Sequence, residues 1–407
     1  MNKVFSTWPQ FTTEEKNAVK NILSSGKVNY WTGTECRKFE KEFADWCQTK
    51  YAVALANGTV ALDIAFKSLN IGNGDEVIVT SRTYIASISS IINAGATPVF
   101  IDIDPISQNI NPKNIQSMLT NKTKAILCVH LAGWPCEMDE IMTIAKNNNL
   151  FVIEDCAQAH GAIYKGKPVG SIGDIGCWSF CQDKIMSTGG EGGMVTTSSK
   201  KLWRYMWAYK DHGKSYDAVY KKNHPKGFRW LHESFGTNWR MTEIQAAIGR
   251  IQLGKMSNWT SIRNRNASIL ADSFKNFVGD KKLLKAQEFK CKSCPINKTM
   301  ECKKECIHAY YKYYVFVQPR SLKHDWSRNR IIEEINTLGV QCMQGSCSEV
   351  YLEKAFNGKE YKPKSRLTNA KKLGETSIMF QVHPTLNIKE MLEMSKIIVS
   401  VFRKAQK

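Results

Sequence analysis

Apolar residues along this chain recur in two distinct periods. Short runs that are almost wholly apolar fall at 51–55, 76–80, 97–101, 124–130, 150–154 and 176–180, the pattern of strands buried on both faces. Stretches with helical spacing, such as 60–69 and 138–147, lie between them. Strands alternating with helices predict an α/β fold with a mixed, mostly parallel sheet flanked by helices. An amino-terminal helix is expected where Thr12 and Glu15 stand at capping-box spacing, with Gly26 as its stop. A long helical pattern over 241–259 leaves this region. It divides the chain into a large domain, 1–255, and a smaller carboxy-terminal α+β domain, 256–407. The hydrophilic stretch 280–304 reads as a surface insertion, cysteine-rich over 280–306, and the strand-like segment 310–317 resumes regular structure.

Composition narrows the class. Hydrophobic residues at 43% and charged residues at 23% suit a soluble globular protein with a sizeable core. No apolar run reaches the roughly 20 residues needed to span a bilayer, and residues 1–10 lack the apolar core of a signal peptide, so the expected location is the cytoplasm. Thirteen cysteines, an odd number mostly placed singly in apolar runs, fit thiols in a reducing compartment. The formal charge of +20 predicts a field that concentrates anions. No nucleic-acid-binding signature accompanies it. A polyphosphate or sugar nucleotide suits the charge equally well, and most of the lysines read as a solvated basic surface.

In parallel sheets ligands bind beyond the carboxyl ends of the strands, so the polar residues there carry the chemistry. Asn57-Gly58-Thr59 follows the first run, Thr83-Tyr84 the second, Asp155 and Gln158 the fifth, and Ser179 to Lys184 the sixth. A strand–Gly–helix turn at 57–59 offers N–H groups and a helix dipole to an anion, and Ser179 can add a hydroxyl; such turns are also common without a ligand. Lys184 precedes the glycine-rich run Gly189-Gly190-Glu191-Gly192-Gly193. In a crowded, partly desolvated site its amine could hold an aldehyde as a Schiff base; alone, it would more often be a solvated loop lysine. Asp155 could keep a pyridine nitrogen protonated or simply cap a helix. Tyr84 could lie against a planar ring or pack in the rim.

Four motifs in order bring a family into view. Asn57-Gly58-Thr59-Val60-Ala61-Leu62, Glu154-Asp155-Cys156-Ala157-Gln158-Ala159-His160-Gly161, the Ser179–Lys184–Gly193 block and Asn238-Trp239-Arg240-Met241-Thr242-Glu243 strongly resemble the sugar aminotransferases of the DegT/DnrJ/EryC1/StrS family. The resemblance spans nearly the whole chain from Trp31-Thr32-Gly33 onward. It implies fold type I, the aspartate-aminotransferase fold, and pyridoxal 5′-phosphate as cofactor. Lys184 would hold the cofactor as a Schiff base and move the proton between substrate and cofactor. Asp155 would pair with the pyridine nitrogen, Gln158 would contact the ring hydroxyl and Tyr84 would stack on the ring. Gly58, Thr59 and Ser179 would hold the phosphate. Asn238 would reach the phosphate of the neighbouring subunit, so the resemblance implies a homodimer with shared active sites. For Arg240 we expect an interface salt bridge.

The same resemblance implies a ping-pong transfer from L-glutamate to a nucleotide-linked keto-sugar, preferentially at C4, in surface-glycan or amino-sugar biosynthesis. C3 amination or another pyridoxal-phosphate reaction is the nearer rival. A non-catalytic nucleic-acid-binding regulator, suggested by the charge, is the distant one. Two departures stand out. Asn57 replaces the serine of many members, and Cys181-Gln182-Asp183 replaces a His-Pro-Thr type of sequence. A dehydratase branch carries histidine in place of the lysine, so Lys184 argues for amino transfer. Cys291, Cys294, Cys302 and Cys306 are spaced either to hold a structural zinc or to remain free thiols. His130, His160, His212 and His383 read as structural, and the turn Gly345-Ser346-Cys347-Ser348-Glu349 as an approach to the sugar.

Overall fold

The computed structural model describes residues 5–285 and 306–407. The expected capping box forms: Glu15 accepts from the Thr12 N–H at 2.6 Å, and α1 (Thr13–Ser25) ends at Gly26 with φ 66°. After α2 (Glu35–Trp46), strands and helices alternate through β1 (Tyr51–Leu55), α3 (Gly58–Ser68), β2 (Glu76–Thr80), α4 (Ala86–Asn93), β3 (Thr97–Ile101) and β4 (Thr123–Val129). They continue through α5 (Met138–Asn147), β5 (Phe151–Asp155), the small ribbon β6 (Ile163–Tyr164) and β7 (Lys167–Pro168), then β8 (Ile175–Ser179), β9 (Gly193–Thr197), α6 (Lys200–Tyr209) and α7 (Tyr216–Tyr220).

The large sheet has seven strands in the order β1-β9-β8-β5-β4-β2-β3. Pairings from β8 through β3 are parallel, while β9 is antiparallel to both its neighbours. The mixed, mostly parallel sheet expected from the sequence is therefore present, with one strand it did not reveal. β9 is buried along its whole length, yet Gly193, Thr196 and Thr197 dilute its apolar signal. Thr196 is tolerated there because its hydroxyl donates to Gly170 O at 2.7 Å.

Helix α8 (Glu243–Phe274) follows, much longer than the predicted 241–259. It buries Ala246, Leu253 and Met256 in one hydrophobic core and Leu270 and Phe274 in another. The division drawn at 255/256 thus falls inside a continuous helix. Beyond it lie β10 (Leu284–Lys285), β11 (Tyr313–Val317), α9 (Arg328–Thr337), β12 (Cys342–Met343), α10 (Thr368–Thr376), β13 (Ser377–Phe380) and α11 (Ile388–Ala405). The four strands form an antiparallel sheet in the order β10-β11-β13-β12. Among the described residues, no helix is long and apolar enough to cross a membrane.

Candidate functional site

The carboxyl ends of β1, β2, β5 and β8 open into a cavity of about 960 Å3. Gly58, Thr59, Tyr84, Asp155, Gln158, Ser179 and Lys184 all line it, as do Tyr311, Lys312 and Tyr314 from the β11 segment. Residues far apart in sequence are gathered because parallel strands end on the same edge of a sheet.

One wall is the start of α3. Asn57 caps this helix, its side chain accepting from Val60 N–H at 3.0 Å, a cap that asparagine supplies as well as serine does. The N–H groups of the first turn have no acceptor within the helix and lie where the dipole favours an anion. A side chain at position 58 would fill this corner, because a Cβ there would stand 2.6 Å from Ser179 Cβ. Position 193 is equally constrained, with Asn57 O 2.2 Å from a Cβ built there. Both glycines are required by close approach of neighbouring chain segments.

Opposite, Asp155 ends β5 and is buried. Ser87 Oγ donates to its Oδ2 at 2.8 Å and Ala157 N–H to its Oδ1 at 3.1 Å, while Thr83 Oγ1 lies 2.8 Å from Ser87 Oγ. Burial raises the Asp155 carboxyl, with Ala157 and Ser87 opposing the shift. Its neighbour Glu154 points to the other face of the sheet and is fully buried. Glu154 accepts from the N–H groups of Gly170 (2.8 Å), Ile172 (2.9 Å) and Gly173 (2.7 Å), and its Oε2 lies 3.0 Å from His130 Nε2. Cys136 N–H donates to His130 Nδ1 at 3.0 Å, which assigns the ring proton to Nε2. Burial pushes Glu154 up, but His130 and the backbone donors outweigh it and hold the carboxyl below its ordinary value. This network anchors the strand that presents Asp155.

Lys184 sits in the loop after β8 with its side chain 18% exposed, 3.3 Å from Asp183 Oδ1. The Tyr311 hydroxyl donates to Asp183 Oδ2, and Lys184 Nζ stands 5.3 Å from the centre of the Tyr311 ring. Burial raises Asp183, but Lys184 and the Tyr311 hydroxyl overcome it and depress the carboxyl. Trp8 closes one side, its indole donating to Lys184 O at 2.8 Å. Tyr311, Lys312 and Trp8 are absent from the sequence reading because they stand outside the strand-end positions that it searched.

The other expected residues have definite places. Tyr84 is 70% exposed on the cavity rim, its ring free to cover a ligand. Gln158 is buried and accepts from Ala132 N–H at 2.8 Å. The 345–349 turn also borders the cavity: Tyr314 Oη accepts from Ser346 N–H at 2.9 Å, and Cys347 O accepts from Thr83 N–H at 3.1 Å. Asn238 is exposed and lies outside the cavity lining. Arg240, expected in an interface salt bridge, pairs within its own chain with Asp211 at 2.7 Å. Asp211 also accepts from Trp31 Nε1 at 2.6 Å and Lys214 Nζ at 3.0 Å, so this carboxylate gathers local donors. In the segment that precedes Asn238, Phe228, Trp230 and Phe235 are largely exposed, Phe235 to 99%.

His160 is buried against Trp178 and Phe180, and burial, with Lys184 and Arg263 adding to it, pushes it down to about 3. His383 borders the cavity and is likewise pushed to about 3 by burial. His212 lies in a loop with φ 57°. Of the four clustered cysteines, Cys291, Cys294 and Cys302 lie outside the described residues, and Cys306 Sγ accepts from Lys165 N–H at 3.2 Å.

Comparison with known proteins places this geometry. A solved structure described as the aminotransferase from Psychrobacter cryohalolentis superposes with a TM-score of 0.94 at 59% identity, covering 98% of this chain and 99% of that one. GDP-perosamine synthase of Escherichia coli O157:H7 is 43% identical over 270 residues, 66% of this chain and 71% of its own length. The dTDP-3-amino-3,6-dideoxy-alpha-D-galactopyranose transaminase of Aneurinibacillus thermoaerophilus is 41% identical over 269 residues, 66% of this chain and 70% of its own. Residues 9–399 match the family model itself, so the chain belongs to the DegT/DnrJ/EryC1/StrS aminotransferase family and has the fold of the pyridoxal-phosphate aminotransferases of fold type I.

Proposed function

We propose that this enzyme transfers the amino group of L-glutamate to a nucleotide-linked keto-sugar, at C4 in preference to C3, in the cytoplasm. The observation that carries the reading is the convergence of Lys184, Asp155, Tyr84 and the Gly58–Ser179 corner on one cavity. That donor set suits pyridoxal 5′-phosphate: an anion corner that a side chain at position 58 would fill, a buried carboxylate, a primary amine and an exposed aromatic face. When bound, the cofactor supplies the electron sink that lets an amine leave one carbon and join another.

The chain's own residues do the rest. Gly58, Thr59 and Ser179 bind the phosphate, and Asp155, held by Ser87 and the Ala157 N–H, keeps a proton on the ring nitrogen. Such a proton would also relieve the cost of burying the Asp155 charge. Gln158 orients the ring from its hydroxyl edge, and Tyr84 covers one face and excludes water. Lys184 Nζ is the atom that anchors the cofactor and moves the proton. Asp183, itself held by Tyr311, keeps that amine pointed inward.

Homodimerisation belongs to the same proposal. Phe228 and Trp230, with ring centres 5.9 Å apart, and Phe235 are exposed apolar side chains that a second subunit would cover, and Asn238, which follows them in the chain, would then reach that subunit's phosphate. A structural zinc held by Cys291, Cys294, Cys302 and Cys306 is a separate proposal for the insertion. The relatives include one named for a GDP-linked sugar and one for a dTDP-linked 3-amino sugar, so substrate choice is settled at the bench. Lys184→Ala is the first test, expected to abolish the absorbance of the lysine-linked cofactor together with turnover. A variant that kept both would overturn the assignment. A panel of nucleotide keto-sugars, mixed with the amine-loaded enzyme, then identifies the acceptor by return of that absorbance.

A further inference from the structure

Lys312 is a second lysine in the cavity, and its surroundings are unusual. It precedes β11 and is only 8% exposed, yet it lines the same space as Lys184. Its ammonium makes one hydrogen bond, to Gln381 Oε1 at 2.7 Å, and lies over the Tyr311 ring at 4.7 Å. Neither partner carries a negative charge. Among the described residues no carboxylate forms an ion pair with it.

The charged groups around it make matters worse. Arg263 on α8, itself buried, and Lys184 are both positive, and His383 faces it from the segment after β13. Asp183 is the acid that opposes them, and its oxygens already serve Lys184 and Tyr311. Burial, followed by Arg263, pushes the Lys312 ammonium down from 10.5 to about 8. A buried cation whose nearest acid is already bonded to Lys184 and Tyr311 costs free energy that an apolar side chain of the same size would avoid. Packing therefore does not explain it, and a counter-charge delivered by a ligand does.

Proximity and the chemistry of the two substrates narrow the ligand. Lys184 Nζ stands 5.3 Å from the Tyr311 ring centre and Lys312 Nζ 4.7 Å from it, so the two nitrogens lie within 10 Å of each other. The cofactor phosphate, on the reading above, takes the α3 corner. An amino acid reacting at Lys184 carries its α-carboxylate on the very carbon that bears the amine. In a nucleotide sugar the diphosphate leaves from the anomeric carbon, across the ring from C4. Of these two anions, the amino-acid carboxylate is therefore the one held nearer the reacting amine. Resting on the reading that an amino acid supplies the amine, we propose that Lys312 binds the carboxylate of the amino-acid donor.

The test uses the holoenzyme and three variants, Lys312→Met, Lys312→Gln and Lys312→Arg. Half-saturation by L-glutamate is read from the cofactor spectrum in the first half-reaction, and half-saturation by the keto-sugar in the second. Calorimetry measures binding of glutarate, an unreactive dicarboxylate. Losing a charge-assisted hydrogen bond predicts about 10- to 100-fold weaker glutamate and glutarate binding in the Met and Gln variants. Keto-sugar saturation should stay within about twofold, and Lys312→Arg should recover most of the loss. Unchanged glutamate and glutarate binding would overturn the proposal. So would equal weakening of both halves, the mark of a merely structural lysine, or weakening of the sugar half alone, the mark of a diphosphate ligand. If the Met variant does not fold, the Gln and Arg variants carry the comparison. If the wild type accepts glutamate but no keto-sugar, the sugar reading falls while the donor and glutarate arms still judge Lys312.

Discussion

The buried carboxylate of Glu154 gives the sharpest quantitative expectation. Its two oxygens accept from four donors, the N–H groups of Gly170, Ile172 and Gly173 and the ring of His130. Glu154→Gln preserves shape but turns one oxygen into a donor. Whichever way the amide settles, two of the four contacts become donor facing donor. His130 cannot relieve this by exchanging tautomers, because its Nδ1 already accepts from Cys136 N–H. Each buried hydrogen bond to a charged group contributes about 1.5–3 kcal/mol, so losing two predicts a destabilisation of about 3–6 kcal/mol. Urea unfolding of cofactor-free protein measures it without a ligand contribution: the midpoint should fall while m is unchanged. The depressed carboxyl adds a pH signature. Its stabilisation is complete above its ordinary 4.5 and is lost as pH falls through the lower folded value, so the variant should lose part of the wild type's acid sensitivity. A variant within about 1 kcal/mol of wild type, or one with an unaltered acid limb, would refute this account of how β5 is anchored.

Other expectations follow from single contacts. Gly58→Ala should weaken cofactor binding about 10- to 100-fold in a spectroscopic titration, because the added Cβ would press on Ser179 at an overpacking cost of about 1–3 kcal/mol; unaltered affinity would contradict the corner's role. Asn57→Ala should cost about 1 kcal/mol of thermal stability through loss of the α3 cap, while Asn57→Ser should cost less. Tyr311→Phe removes a hydroxyl that depresses Asp183, so any acid limb of turnover set by Asp183 should move to higher pH; an unmoved profile would exclude that coupling. Phe235→Asp together with Trp230→Asp should convert a dimer to monomer by light scattering, and a dimer that persisted would place the interface elsewhere. Metal analysis of purified protein should find about one zinc per chain if the cysteine cluster is a tetrahedral site.

Much of the large domain was readable because its strands are buried on both faces and therefore nearly continuous apolar runs. Three of the predicted runs coincide with β1, β2 and β3, and the other three with β4, β5 and β8 to within one residue. β9 escaped because its glycine and threonines are satisfied by neighbours that no local pattern reveals. The second half of α8 escaped for a related reason. Arg263 and Asn266 are buried there as polar residues, and Asn266 spends its amide on the carbonyls of Val382, His383 and Leu386. A helix that buries polar side chains loses the apolar stripe that would announce it. The strand-end rule led to Lys184 and Asp155, but Tyr311 meets Asp183 across 128 positions, a distance over which spacing carries no information.

The continuity of α8 also governs how the protein can be taken apart. A cut after residue 255 would leave one fragment without Met256 and strip the helix that carries Leu270 and Phe274 of its first thirteen residues. Neither piece would keep an intact surface against solvent. Expression of either half alone should yield aggregated material, and insertions or permutation sites belong in the exposed loops. Because α8 buries residues in both hydrophobic cores, a change that bends this one rod is felt in the packing of both.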